Sequence, residues 1–96
     1  MATLTVLYGP PADADAFRSH YEEKHLPLAQ ALPGARDLTY AIGVTTLAGE
    51  PVHASFRATF DSVADLEAAL GSPEGQAAQA DVPAFADGGV TILVEP

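Results

Sequence analysis

Proton transfer near neutral pH is the chemistry this sequence is best equipped for, because it holds three histidines, His20, His25 and His53, and no cysteine. The missing thiol excludes a thiolate nucleophile, disulfides, iron–sulfur clusters and cysteine-ligated zinc. In helical projection Phe17, Tyr21, His25 and Leu28 share one arc of roughly a quarter turn, so His25 points inward with apolar neighbours. Its place just before Pro27 puts it near unpaired helix carbonyls, which favour the imidazolium, while burial favours the neutral ring. Two roles stay open for such a ring: a core histidine bonded to a carbonyl or carboxylate, or an acid/base group. His20 reads as an exposed flank of the same helix, and His53 as a strand residue satisfied by solvent or a subunit seam. His20 and His25 lack the i, i+4 spacing that shares a zinc ion, so no metal site is expected. No other signal points to haem or another cofactor, and Gly9-Pro10-Pro11 lacks the donors of a phosphate loop.

The elements that must position these rings follow from alternation and capping signals. Leu4, Val6 and Tyr8 alternate with Thr3, Thr5 and Leu7 as a first strand, stopped by Gly9-Pro10-Pro11. Asp13 caps a helix predicted from about Ala14 to His25, which Pro27 should end or kink before a short turn through Leu28 to Leu32. Leu38, Tyr40, Ile42 and Val44 alternate as a second strand, and Ala48-Gly49-Glu50-Pro51 suggests a hairpin. The third strand runs from Val52 to Phe60 with Phe56 on its apolar face, and Asp61 or Ser62 caps a helix ended by Gly71. Ser72-Pro73-Glu74 opens a short extra helix, Ala77 to Ala86 reads as helical, and Val90, Ile92 and Val94 form the last strand.

The order is βαββαβ, so the chain is predicted to be one α+β domain over residues 1–96, with a ferredoxin-like fold and a four-stranded antiparallel sheet. Tyr40 should look toward the helix that carries His25, either as a core tyrosine or as its hydrogen-bonding companion across a cavity. The opposite sheet face would show Thr5, Leu7, Ala41, Arg57, Thr91 and Leu93. Such a half-apolar surface is better covered than bare, and a second copy laid against it isologously would cover it. Thirteen carboxylates against Arg18, Lys24, Arg36 and Arg57 give a net charge of −9, which repels nucleic acid and anionic membrane. No apolar run approaches a membrane span and the start lacks a signal peptide, so a cytoplasmic location is expected.

Phe17-Arg18-Ser19-His20-Tyr21-Glu22-Glu23-Lys24-His25-Leu26-Pro27, after a strand ending Leu7-Tyr8, resembles the first helix of EthD proteins, with its aromatic residue, tyrosine and His-x-Pro ending. Ser72-Pro73-Glu74-Gly75 and Asp81-Val82-Pro83-Ala84-Phe85 are similar to that family's second half. The resemblance implies a homodimeric α/β barrel in which each subunit keeps a pocket between sheet and helices. That pocket would be lined by Val6, Tyr8 and Phe56 from the strands and Phe17, Tyr21 and Phe85 from the helical layer. Relatives in the wider superfamily include lactone isomerases, polyketide cyclases, small monooxygenases and haem-degrading enzymes. In lactone methylisomerase-like relatives, a histidine at the end of the first helix and a second-strand tyrosine are the polar groups of the pocket. His25 and Tyr40 match those two positions, while the assisting cysteine has no counterpart. EthD itself is associated with ethyl tert-butyl ether degradation beside a cytochrome P450. The implied activities are isomerisation or cyclisation of a small apolar or aromatic metabolite, non-catalytic carriage of one, or cofactor-independent oxygenation.

Overall fold

A computed structural model describes all residues, Met1–Pro96. The elements are β1 (Ala2–Tyr8), α1 (Ala14–His20), a π-helical turn (Tyr21–His25), α2 (Leu26–Gln30), β2 (Arg36–Ile42), β3 (Ala54–Phe60), α3 (Val63–Gly71), α4 (Pro73–Asp81), a 3₁₀ turn (Val82–Ala84) and β4 (Val90–Glu95). The four strands form one antiparallel sheet in the order β2-β3-β1-β4. This is the ferredoxin-like α+β arrangement expected from the alternation.

Register explains which face is which. Tyr40 opposes Phe56, Phe56 opposes Val6 and Val6 opposes Ile92, so these four share the helix side. Leu4, Tyr8, Ala58 and Phe60 complete that side and are buried under α1, α3 and α4. The reverse face carries Thr39, Arg57, Thr5 and Leu93 in one row and Ala41, Ser55, Leu7 and Thr91 in the next. On it Thr5 donates to Glu95 (2.8 Å), which also faces Arg57 (3.5 Å). The helices do not reach the β4 edge, so Val90, Ile92 and Val94 remain exposed although they lie on the helix side.

Caps follow the sequence signals. The side chains of Asp13, Ser62 and Ser72 accept from Ala16, Asp65 and Gly75 backbone N–H groups. Gly75 is required where α4 crosses α3: a Cβ there would sit 2.2 Å from the Ala69 carbonyl oxygen. The two strands around the long hairpin are shorter than their alternation predicts. β2 ends at Ile42 rather than Val44, and β3 starts at Ala54 rather than Val52. The neck is closed instead by Gly43 and Val44 N–H groups donating to the His53 carbonyl (2.8 and 3.0 Å). His53 is consequently not on the open face; its ring meets Phe17 edge-on at 5.1 Å.

The main departure lies in the first helix. Pro27 does not end it: the helical path runs on through α2 to Gln30. A proline in an α-helix loses one hydrogen bond and crowds the carbonyl four residues earlier. The five-residue turn Tyr21–His25 widens the coil, with the Leu26 N–H donating to the Tyr21 carbonyl. Widening the turn just ahead of Pro27 relieves that crowding, and the helical path continues without a break.

Candidate functional site

The π turn also changes which residues share a side. Five residues span much of a turn and a half in an α-helix, but in the wider coil they come back nearly into line. His20 and His25 therefore face the same partner, the carboxylate of Asp81 at the end of α4. His20 Nε2 donates to both oxygens (2.9 and 3.0 Å), and His25 Nδ1 donates to Oδ2 (3.0 Å). The expectation that His20 would be a free surface flank gives way to a side chain that is half-buried and bonded. Asp81 belongs to the Asp81–Phe85 stretch that is similar to the family's second half, and its spacing in the sequence signals no side-chain role.

A carboxylate accepts only, so the nitrogen facing it carries the proton. For neutral His25 that leaves Nε2 bare, and Nε2 faces the hydroxyl of Tyr8 at 3.5 Å. At that length the contact is at the limit of a hydrogen bond and easily exchanged for a better partner. His25 is 5% exposed. Burial pulls its pKa below the ordinary histidine value, against the opposing hydrogen bond and charge of Asp81, while His20 nearby adds to the lowering. The Tyr8 hydroxyl is pushed above the usual tyrosine range by burial and by the Asp81 charge, so it stays protonated and can donate. The pair offers a base and a donor side by side.

Both residues line a pocket of about 70 Å³ between the sheet and α2, α3 and α4. Its walls are apolar, with Leu4, Val6 and Phe56 below and Ala29, Leu32 and Leu70 above. Gln79 also lines it, but its amide donates to the Leu70 and Gly75 carbonyls. No lysine or arginine lines it. Ile92, 52% exposed, places the mouth at the uncovered β4 edge.

The residues singled out from sequence separate into three groups. His25, Val6, Tyr8 and Phe56 line this pocket. Phe17, Tyr21 and Phe85 do not; they form an aromatic cluster behind it, with the Phe85 ring centre 4.7 Å from that of His25 and 5.4 Å from that of Tyr8. Tyr40 stands apart, 41% exposed, and its hydroxyl donates to Glu22 (3.0 Å), which raises its pKa. Tyr40, on the edge strand β2, packs its ring against Tyr21 at 5.6 Å, and Tyr8 takes the place beside His25 that the alternation suggested for Tyr40.

The lowered pKa of His25 fixes a pH dependence. The unfolded chain binds a proton at the ordinary histidine value of about 6.5, above the folded value, so between the two the unfolded state holds more protons. Stability contributed by neutral His25 is thus complete above about pH 6.5 and lost as pH falls toward the folded value, with a limiting slope of about 1.4 kcal/mol per pH unit. In urea titrations His25→Gln is expected to flatten this limb relative to the unsubstituted protein; an equal slope in both would show that His25 does not drive it.

Comparison with known proteins places this geometry among relatives. The EthD domain profile matches residues 9–89. An uncharacterised 11.0 kDa protein in the thcB-thcC intergenic region of Rhodococcus erythropolis is 44% identical over 96 residues, covering 97% of this chain and 91% of that protein. The crystal structure of an ethyl tert-butyl ether (EthD) family protein from Bacillus halodurans superposes with a TM-score of 0.90 at 31% identity, over 100% of this chain and 97% of that one. A dimeric ferredoxin-like protein of unknown function from Thermobifida fusca shares the fold at TM-score 0.73 and 14% identity, over 97% of this chain and 87% of that one.

Proposed function

Because the chain belongs to the EthD family, we propose that it is a small-molecule protein whose pocket binds a compact neutral metabolite, with His25 as the proton-transfer group and Tyr8 as hydrogen-bond donor. The observation that carries this reading is the placement of His25, with Nδ1 against Asp81 and Nε2 toward the Tyr8 hydroxyl, both His25 and Tyr8 lining one apolar pocket. The reaction type best suited to it is abstraction of a proton from a carbon next to a carbonyl. Nε2 takes that proton, the electron pair moves onto the carbonyl oxygen, and the Tyr8 O–H hydrogen-bonds the developing enolate. In a ligand whose enolate is conjugated with a further carbon–carbon double bond, return of the proton from Nε2 to the far end of that system moves the double bond, completes an isomerisation and restores neutral His25.

Pocket size and charge narrow the ligand. Seventy cubic ångströms is well below the roughly 300 to 1,000 Å³ of pockets for drug-sized molecules, so the ligand is compact or leaves part of itself at the Ile92 mouth. With Asp81 close by and no cation in the walls, a carboxylate or phosphate would be buried unpaired. An ether of the kind the family name refers to would accept from Tyr8 but has no acidic proton for His25, so binding suits it better than proton transfer.

Phenol, neutral at pH 7, and benzoate, an anion at that pH, are two small aromatic probes that test this directly. Phenol is expected to shift the amide and ring signals of Tyr8, His25 and Ile92 in NMR titrations, and benzoate to leave them in place. Benzoate binding as tightly as phenol, or neither reaching the pocket, would contradict the reading.

The same reading includes a homodimer formed through the open sheet face. Leu7 and Leu93 lie there beside Thr39, Ala41 and Thr91, and isologous packing would bury them. Sedimentation at micromolar concentration is expected to give twice the 9.9 kDa chain mass, with Leu93→Asp shifting the protein to monomer. A monomeric unsubstituted protein would remove the barrel.

A further inference from the structure

We propose that His20 is a positioning residue that fixes the tautomer of His25 by holding Asp81. The inference rests on the reading of His25 as the pocket base, because only then does its tautomer matter.

Asp81 is poorly placed to stay where it is unaided. It ends α4, where the helix dipole disfavours a negative side chain, and it is 18% exposed, so water competes for both oxygens. His25 supplies one hydrogen bond, to Oδ2. His20 reaches both oxygens, at 2.9 and 3.0 Å, and fixes the plane of the carboxylate. The His20 ring is itself fixed by stacking on Phe85, centre to centre at 5.3 Å and 23° from parallel, and Phe85 also packs against His25. The π turn puts the two histidines on one side of the helix, so a single carboxylate serves both. Without His20, Asp81 is free to turn to solvent, Nδ1 of His25 loses its acceptor, and the ring proton can move to Nε2, the atom that must be bare to act on a ligand.

The test separates the hydrogen bond from the stack. His20→Phe keeps an aromatic ring on Phe85 and removes the donor, whereas His20→Gln keeps a donor and removes the ring. Ring ¹⁵N shifts of His25 report the ratio of Nδ1–H to Nε2–H tautomers. His20→Phe is expected to lower that ratio by about five-fold, the size of one ordinary hydrogen bond, and His20→Gln to keep it near the unsubstituted value. His20→Ala reads the same loss should the phenylalanine variant not fold. An unchanged ratio in His20→Phe or His20→Ala, or an equal fall in His20→Gln, would overturn the proposal while leaving His25 as base. An unsubstituted protein with the proton already on Nε2 would overturn the reading of His25 itself, and the role of His20 with it.

Discussion

Replacing His25 with glutamine is expected to lower proton exchange on a bound ligand by about 10²- to 10⁴-fold, the usual contribution of one positioned acid/base group. Small enolisable cyclic ketones in heavy water provide the readout, because protein-catalysed deuterium uptake next to the carbonyl is visible by NMR without knowledge of the natural substrate. Glutamine retains the volume and a hydrogen bond to Asp81, so binding of the ketone should change far less than the exchange rate. The split follows from the geometry: the walls that bind are apolar, and the atom that reacts is Nε2. Exchange that persists in the glutamine variant would assign the proton transfer to another group. No exchange above buffer in the unsubstituted protein would favour the carrier role, in which the same pocket holds a molecule and nothing reacts.

Phe85→Ala is expected to be the most damaging single truncation near the site. The ring is 6% exposed and stands at the centre of the aromatic cluster, with Phe17 at 5.3 Å, Tyr8 at 5.4 Å, Tyr21 at 5.6 Å, His20 at 5.3 Å and His25 at 4.7 Å. Truncating a buried phenylalanine costs about 3 to 5 kcal/mol in lost transfer free energy and cavity. In a domain this small each kcal/mol lowers Tm by about 4 to 8 °C, so a fall of roughly 12 °C or more in calorimetry is expected. Because Phe85 touches both histidines, the truncation should also broaden the His25 ring signals. A loss of stability near 1 kcal/mol would mean that the cluster repacks and does not depend on this ring.

Much of this architecture is legible in the sequence, and the reasons differ by element. The alternation of Leu4, Val6 and Tyr8, and of Ala54, Phe56, Ala58 and Phe60, marks strands with one buried face because side chains repeat every two residues. Ser62 and the Ser72-Pro73 pair mark helix starts because a serine oxygen and a proline at the first position suit the unpaired N–H groups there. The inward direction of His25 followed from its spacing with Phe17 and Tyr21. What spacing could not show was the π turn. At the α-helical period His20 and His25 diverge, and only the wider coil lets them share one carboxylate.

Two local signals would have pointed further. Pro27 in an otherwise uninterrupted amphipathic run calls for some relief of the coil, and a widened turn is one of the few forms of it. Asp81 at a helix C-terminus opposes the dipole and therefore asks for a cationic or donating partner, which a chain with four lysines and arginines must find among its histidines. The exchange of Tyr40 for Tyr8 had no such signal. Both lie on the helix side of the sheet, and only the course of the edge strand β2 decides that Tyr40 meets Glu22 while Tyr8, on the central strand, meets His25.

Ring ¹⁵N chemical shifts of His25 at pH 7 measure, without any ligand, whether Nε2 is bare and free to act as the base of the pocket. A neutral ring protonated at Nδ1, titrating below about pH 6.5, is the expected result. An imidazolium at pH 7, or a neutral ring protonated at Nε2, would contradict it and leave the pocket without a base.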